Sequence, residues 1–261
     1  MSSYIFDTHS HYDDKAFDSD RDEILGGLFA KGIGKVVDVG ADMPSSKMAL
    51  ELAKQYEFVY AALGVHPSEV EGLTEDDMAW ISSHAAHEKV AAIGEIGLDY
   101  HWPEPKPALQ KQWFRRQIEL AKEVKLPIIV HSRDAAEPTM QIIQETKAYE
   151  CGGVIHCYSY SPEMAEEYAK MGFFIGMGGV LTFKNAKKLV RCAERIPLSS
   201  IVLETDCPYM APEPNRGKRN DSSQLIYVAQ KLAEIKGITA EEVKQVTTEN
   251  AHRLYRLTQN K

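Results

Sequence analysis

The sequence predicts an α/β fold, a single (β/α)8 TIM barrel formed by residues 1–261, and three observations carry that prediction. Short β-branched runs alternate with longer amphipathic segments from one end to the other, as repeated βα units around a parallel sheet require. About eight such units recur at roughly even spacing, the number that closes a barrel. Polar residues gather at the ends of many runs at once, which suits the rim of a closed barrel better than the single crevice of an open sheet.

In chain order, the strands are expected at residues 4–9, 35–40, 59–65, 90–96, 127–131, 153–156, 173–177 and 201–206. Each is a short run rich in Val and Ile or other apolar residues, the composition a pleated and buried strand favours. The intervening helical pattern is clearest over residues 109–124. There Leu109, Trp113, Leu120 and Val124 share a face, with Phe114, Ile118 and Ala121 beside it, so the aromatic pair is expected in the core. The proline-rich stretches 102–107 and 208–214 both follow strands and read as long βα loops rather than domain boundaries.

Bulk composition narrows the function. The chain has 261 residues, 44% of them hydrophobic, enough for one large core. A net charge of −8 argues against coating nucleic acid by bulk electrostatics, because that needs a basic face. Any nucleic-acid contact must be local, in a pocket where metals and a few arginines supply positive charge. No stretch approaches the roughly 20 apolar residues of a membrane helix. The start, Met1-Ser2-Ser3-Tyr4, has neither a charged leader nor an apolar signal core. The expectation is a soluble, cytoplasmic protein with no membrane contact. Cys151, Cys157, Cys192 and Cys207 show no Cys-x-x-Cys spacing, so they are expected to be reduced thiols, mostly buried.

The chemistry sits at the strand ends. The first strand closes on Asp7-Thr8-His9-Ser10-His11, and a period of two puts His9 and His11 on the same side. Two imidazoles aimed into one space suit a divalent transition metal. Further polar residues end other strands: His66, Glu95, His131, His156 and Asp206. An apolar barrel does not ask for them, and burying them unpaired would cost several kcal/mol, so together they point to metal binding. His84 and His87 lie on a polar helical segment and His252 on the last helix, where solvent-facing or capping roles are expected.

In this order the motifs Asp7-Thr8-His9-Ser10-His11, Gly64-Val65-His66-Pro67, Gly94-Glu95-Ile96-Gly97-Leu98-Asp99, Val130-His131-Ser132-Arg133, Ile155-His156-Cys157, Glu204-Thr205-Asp206-Cys207-Pro208 and Arg216-Gly217-Lys218-Arg219-Asn220 resemble those of the TatD family of metal-dependent nucleases, within the amidohydrolase-like metal barrels. The resemblance spans essentially the whole chain. It implies two divalent metal ions per chain, one on His9, His11, Glu95 and Asp206 and one on Glu95, His131 and His156, with Glu95 shared. It implies that His66 and Arg133 face the substrate phosphate. The implied activity is that of a deoxyribonuclease acting exonuclease-like on DNA ends. The alternative is a hydrolase of a small phosphoester, lactone or amide, since the same centre serves all of these. DNA is the implied substrate, and no stable protein partner is implied. Two segments depart from the family pattern, Tyr158-Ser159-Tyr160 and Asp221-Ser222-Ser223, both in loops where substrate preference is set.

Two cations roughly 3.5–4 Å apart would polarise the phosphoryl oxygen and lower the pKa of a bound water. Asp206 then reads as the proton acceptor, Arg133 as a two-pronged phosphate donor and His66 as a further donor, so that Asp206, His66 and Glu95 form the catalytic set. Histidine-rich ligation favours Zn, Mn or Ni as bound metals, while the nuclease resemblance implies that Mg supports turnover. Asp7 and Glu204, one layer deeper by strand parity, are expected to orient ligands through hydrogen bonds, unless they pair with an interior lysine or arginine.

Overall fold

The computed structural model describes residues 4–257; Met1, Ser2 and Ser3, on which the reading of the N-terminus partly rests, lie outside the described residues. Eight strands are found among them, β1 Ile5–Ser10, β2 Ile33–Val39, β3 Val59–Leu63, β4 Val90–Asp99, β5 Ile128–Arg133, β6 Gly153–Ile155, β7 Phe174–Met177 and β8 Ile201–Leu203. They belong to one sheet in chain order. The longer helices are α1 Arg21–Gly27, α2 Met43–Gln55, α3 Glu75–His84, α4 Pro107–Val124, α5 Ala136–Glu145, α6 Pro162–Lys170, α7 Lys187–Arg195, α8 Leu225–Lys236 and α9 Ala240–Leu254. This is the predicted βα alternation. None of the described helices is long and apolar enough to cross a membrane.

The backbone forms two compact units, one comprising the described residues up to Val37 and from Cys157 onward, the other Asp38–His156. In the second unit β3, β4, β5 and β6 pair in parallel, with Leu63 opposite Ile93, Gly97 opposite His131, Asp99 opposite Arg133 and Val130 opposite Ile155. All ten residues of β4 are buried, as expected of a parallel strand covered on both faces. Gly97 has φ 149°, and any Cβ there would collide with the His131 carbonyl, so only glycine lets β4 and β5 approach. Trp113 and Phe114 of α4 are buried in the core, as the helical pattern predicted. Capping fixes where the helices begin. Asp42 and Ser45 form a reciprocal capping box on α2, as do Thr74 and Asp77 on α3, each cap being worth about 1 kcal/mol.

In the first unit β7 and β8 pair in parallel, Met177 opposite Leu203, and a parallel bridge joins Ser10 to Cys207 just past β8. Ser161 caps α6 ahead of Pro162, and α8 stops at Gly237, whose φ of 67° is left-handed. The four cysteines are free, three of them buried, as expected.

Strand ends differ from the sequence reading where chemistry begins. β4 and β5 run longer than predicted, to Asp99 and Arg133, because both continue pairing past the last β-branched residue. β8 stops at Leu203 rather than at 206, because Thr205 and Asp206 both direct their N–H groups to the His9 carbonyl, at 3.3 and 2.9 Å. His252 is not solvent-facing. It is buried, 2.8 Å from the Tyr4 hydroxyl and edge-on to Phe6, because α9 lays that face against β1. His84 stacks on Trp80 and His87 is exposed, so both lie on the surface side expected of them.

Candidate functional site

In the first unit, β1 delivers His9 and the residue after its end places His11, whose N–H donates to the Cys207 carbonyl at 2.8 Å. The expected period of two holds: the rings face each other, with Nε2 atoms 3.1 Å apart. Asp206 joins them, its Oδ1 3.3 Å from His11 Nε2 and 3.8 Å from His9 Nε2. Its backbone is left-handed, φ 57°, a conformation Asp tolerates better than most residues. Strand parity therefore does not aim this carboxylate. The turn does, held by the bond from Asp206 N–H to the His9 carbonyl.

Beneath this cluster lies a buried polar network. Asp7 accepts hydrogen bonds from the Thr205 hydroxyl at 2.6 Å, the Thr205 N–H at 3.0 Å and the Ser222 hydroxyl at 2.6 Å. Burial pushes the Asp7 carboxyl up to about 7, although these bonds pull the other way. Asn220 donates to the Thr205 and Tyr209 carbonyls at 3.1 and 2.8 Å, clamping both sides of Asp206. Glu204 accepts from the Cys157 N–H at 2.6 Å and lies over Gly176, where a Cβ would strike its carboxylate. Asp7 is thus held by hydroxyls and backbone N–H groups, in place of the lysine or arginine considered above.

In the second unit the donors converge on Glu95. Its Oε1 lies 2.7 Å from His131 Nδ1, 3.8 Å from His156 Nε2 and 4.0 Å from His66 Nε2. His131 Nε2 meets Asp99 Oδ2 at 3.2 Å. Burial disfavours the His131 imidazolium, but its bonds with Asp99 and Glu95 outweigh burial and raise its pKa. Burial likewise opposes ionisation of Asp99, yet His131 and the His101 N–H hold its carboxyl below the usual range. His66 Nδ1 accepts from the Ser68 N–H at 3.1 Å, so in the neutral ring the proton sits on Nε2. Arg133 ends β5 with its side chain exposed.

Both donor sets suit divalent cations. His9, His11 and Asp206 offer two imidazole nitrogens and a carboxylate oxygen within 4.8 Å of one another. At most one proton fits between nitrogens 3.1 Å apart, so at least one lone pair points into the gap. His131 presents one nitrogen to Glu95 while the other can donate to Asp99, the carboxylate–histidine arrangement that orients metal-bound imidazoles.

Sequence reasoning gave Asp99 no role, although it stands four residues after Glu95 on the same strand face, and its carboxylate groups with His66 and His131. Parity along β4 would have found it had the strand been drawn to its full length. Asp13, whose Oδ1 lies 3.9 Å from His11 Nδ1, carried no such signal.

The model of the TatD related DNase family matches residues 6–256. The metal-dependent hydrolase YabD of Bacillus subtilis (strain 168) is 47% identical over 97% of this chain and 99% of its own length. YcfH of Escherichia coli (strain K12), also a metal-dependent hydrolase by name, is 35% identical over 97% of this chain and 96% of its own. The crystal structure of the TatD homologue YjjV from Escherichia coli K12 superposes with a TM-score of 0.92 at 31% identity, covering 99% of this chain and all of that one.

Proposed function

Because the chain belongs to the TatD related DNase family, whose relatives are metal-dependent hydrolases, we propose that it hydrolyses phosphodiester bonds of DNA, working exonuclease-like from strand ends, with residues 1–261 acting as one catalytic domain. Two divalent cations serve each chain, one on His9, His11, Glu95 and Asp206, the other on Glu95, His131 and His156. The observation that carries this reading is the pair of donor sets, each mixing imidazole nitrogen with carboxylate oxygen at the end of the strands. Zn, Mn or Ni match the imidazole content, and Mg supports turnover. When bound, the cations withdraw electrons from the phosphoryl group and make water nucleophilic near neutral pH.

The chain's own residues supply the rest. Asp206 accepts the proton of the attacking water. His66, with its Nδ1 taken by the Ser68 N–H, offers Nε2–H to a phosphoryl oxygen, and Arg133 adds a planar donor pair. Asp99 holds the His131 ring by its far nitrogen. The site of action is the cytoplasm, where the four free cysteines stay reduced.

The test is hydrolysis of end-labelled oligonucleotides by the purified protein, before and after chelation and with Mn, Zn or Mg restored, alongside elemental analysis. Cleavage should vanish on chelation and return with metal. His9→Ala combined with His11→Ala should lower metal content by about one ion per chain, because one set loses two ligands. Metal-loaded protein that turns over a small ester, lactone or amide but leaves DNA intact would overturn the proposal.

A further inference from the structure

Trp102 is the most exposed of the chain's three tryptophans in a place where packing gives no reason for it. It is 57% exposed, whereas Trp113 is only 7% exposed in the core and Trp80 is stacked against His84. A large apolar ring left in water forfeits roughly 1.5–3 kcal/mol of available burial. That cost is ordinary on a loop free to fold the ring back, but this loop is not free.

Gln110, almost fully buried on α4, donates to the carbonyls of both Asp99 and Pro105 at 2.8 Å and accepts from the Asp99 N–H at 2.8 Å. One amide side chain thereby fixes both ends of the loop. Within it, the Tyr100 N–H donates to the Arg133 carbonyl at 2.9 Å, and the His101 N–H donates to Asp99 Oδ1 at 2.9 Å. The His101 ring lies 3.3 Å from Asp134 and packs edge-on against the indole at a centroid distance of 4.8 Å. The indole is thus displayed to solvent on a pinned backbone. It stands three residues beyond Asp99, so its Cα lies within about 11 Å of that residue's, the limit of an extended chain. Asp99 itself touches His131, and Arg133 ends the neighbouring strand.

We propose that Trp102 is a stacking platform for a nucleobase of single-stranded DNA beside the scissile phosphate, an inference that rests on the phosphodiesterase reading above. A flat, preorganised π-face a nucleotide or two from a phosphate site accepts any base, since every base has a π-face, and it adds affinity without adding charge. That suits an acidic chain. A net charge of −8 gives no bulk electrostatic hold on a strand beyond the metal pocket, so stacking supplies what the surface charge does not. The likeness to a stacking site is specific to bases: a small phosphodiester gains nothing from the ring.

Steady-state kinetics of Trp102→Ala and Trp102→Phe on a single-stranded oligonucleotide and on methyl 2,2,2-trifluoroethyl phosphate, a small diester with no aromatic ring, each with metal restored, test this. Trp102→Ala should raise KM for the oligonucleotide on the order of 5- to 150-fold, several times more than for the small diester, and Trp102→Phe should recover much of the loss. Tryptophan fluorescence of the intact protein in chelator should be quenched by the oligonucleotide, and the quenching should be lost in Trp102→Ala. Circular dichroism checks that the variants are folded. Equal losses on the two substrates, or an oligonucleotide KM unchanged in Trp102→Ala, would overturn the stacking role while leaving the phosphodiesterase reading intact. No cleavage of DNA by the unaltered protein would instead remove that reading.

Discussion

The two candidate donor sets, one in each unit, are built on different principles. In Asp38–His156 three of the donors ride on strands: Glu95 and Asp99 stand on the ten-residue β4 and His131 on β5, opposite Gly97, while His66 and His156 lie just past β3 and β6. In the other unit only His9 stands on a strand, β1. His11 lies past the end of β1, and Asp206 sits in a left-handed turn three residues past the end of β8. What sheet pairing does for Glu95 is done for Asp206 by side chains distant in sequence, Asn220 and Ser222, acting through Thr205 and Asp7. A strand positions a ligand cheaply and locally, whereas a turn needs a scaffold borrowed from elsewhere.

Three substitutions probe that contrast. The largest effect is expected from Asp206→Asn, which keeps the shape and an oxygen for the cation but cannot take a proton. DNA cleavage should fall by about 10²–10⁴, measured as kcat with metal content checked on the same sample. Near-normal turnover with metals bound would remove Asp206 as base.

Asp99→Asn addresses the strand-built half. It should weaken metal binding or activity by about 10–100-fold, read by chelator competition, while the metal held by His9 and His11 is retained. If both affinities are unchanged, Asp99 does not orient His131.

The smallest effect belongs to the scaffold. Asn220→Ala leaves the Thr205 and Tyr209 carbonyls without their donor and should cost about 1–3 kcal/mol of stability in a denaturant titration, with less than a tenfold loss of activity. If activity collapses while stability holds, Asn220 acts on the reaction directly, and the division between scaffold and ligand drawn here is wrong.

This contrast also explains what was legible in the sequence. Periodicity of β-branched runs sufficed for the fold, because strands write their geometry into local sequence, whereas the assignment of His9, His11, Glu95, His131, His156 and Asp206 as ligands rests on the family resemblance. Asp99 lies beyond a strand read as 90–96, and only the full length of β4 brings it in. The contacts of Asp7 with Ser222 and of Asn220 with Thr205 bring together residues 215 and 15 positions apart, and no local pattern encodes them. The departure from the family pattern at Asp221-Ser222-Ser223 finds its place here. Ser222 donates to Asp7 and receives the Tyr12 hydroxyl within 2.8 Å, so this segment fastens the loop to the interior. Tyr158, in the other departing segment, is buried and donates to the Ser161 carbonyl at 2.6 Å just ahead of α6.

The Gln110 clamp has an evolutionary consequence. Because one helix-borne amide grips the backbone at Asp99 and at Pro105, the frame of that loop does not depend on the side chains it encloses. Residues 100–104 are therefore an exchangeable cassette: selection can trade these few positions while the backbone on either side, Asp99 included, stays where it is.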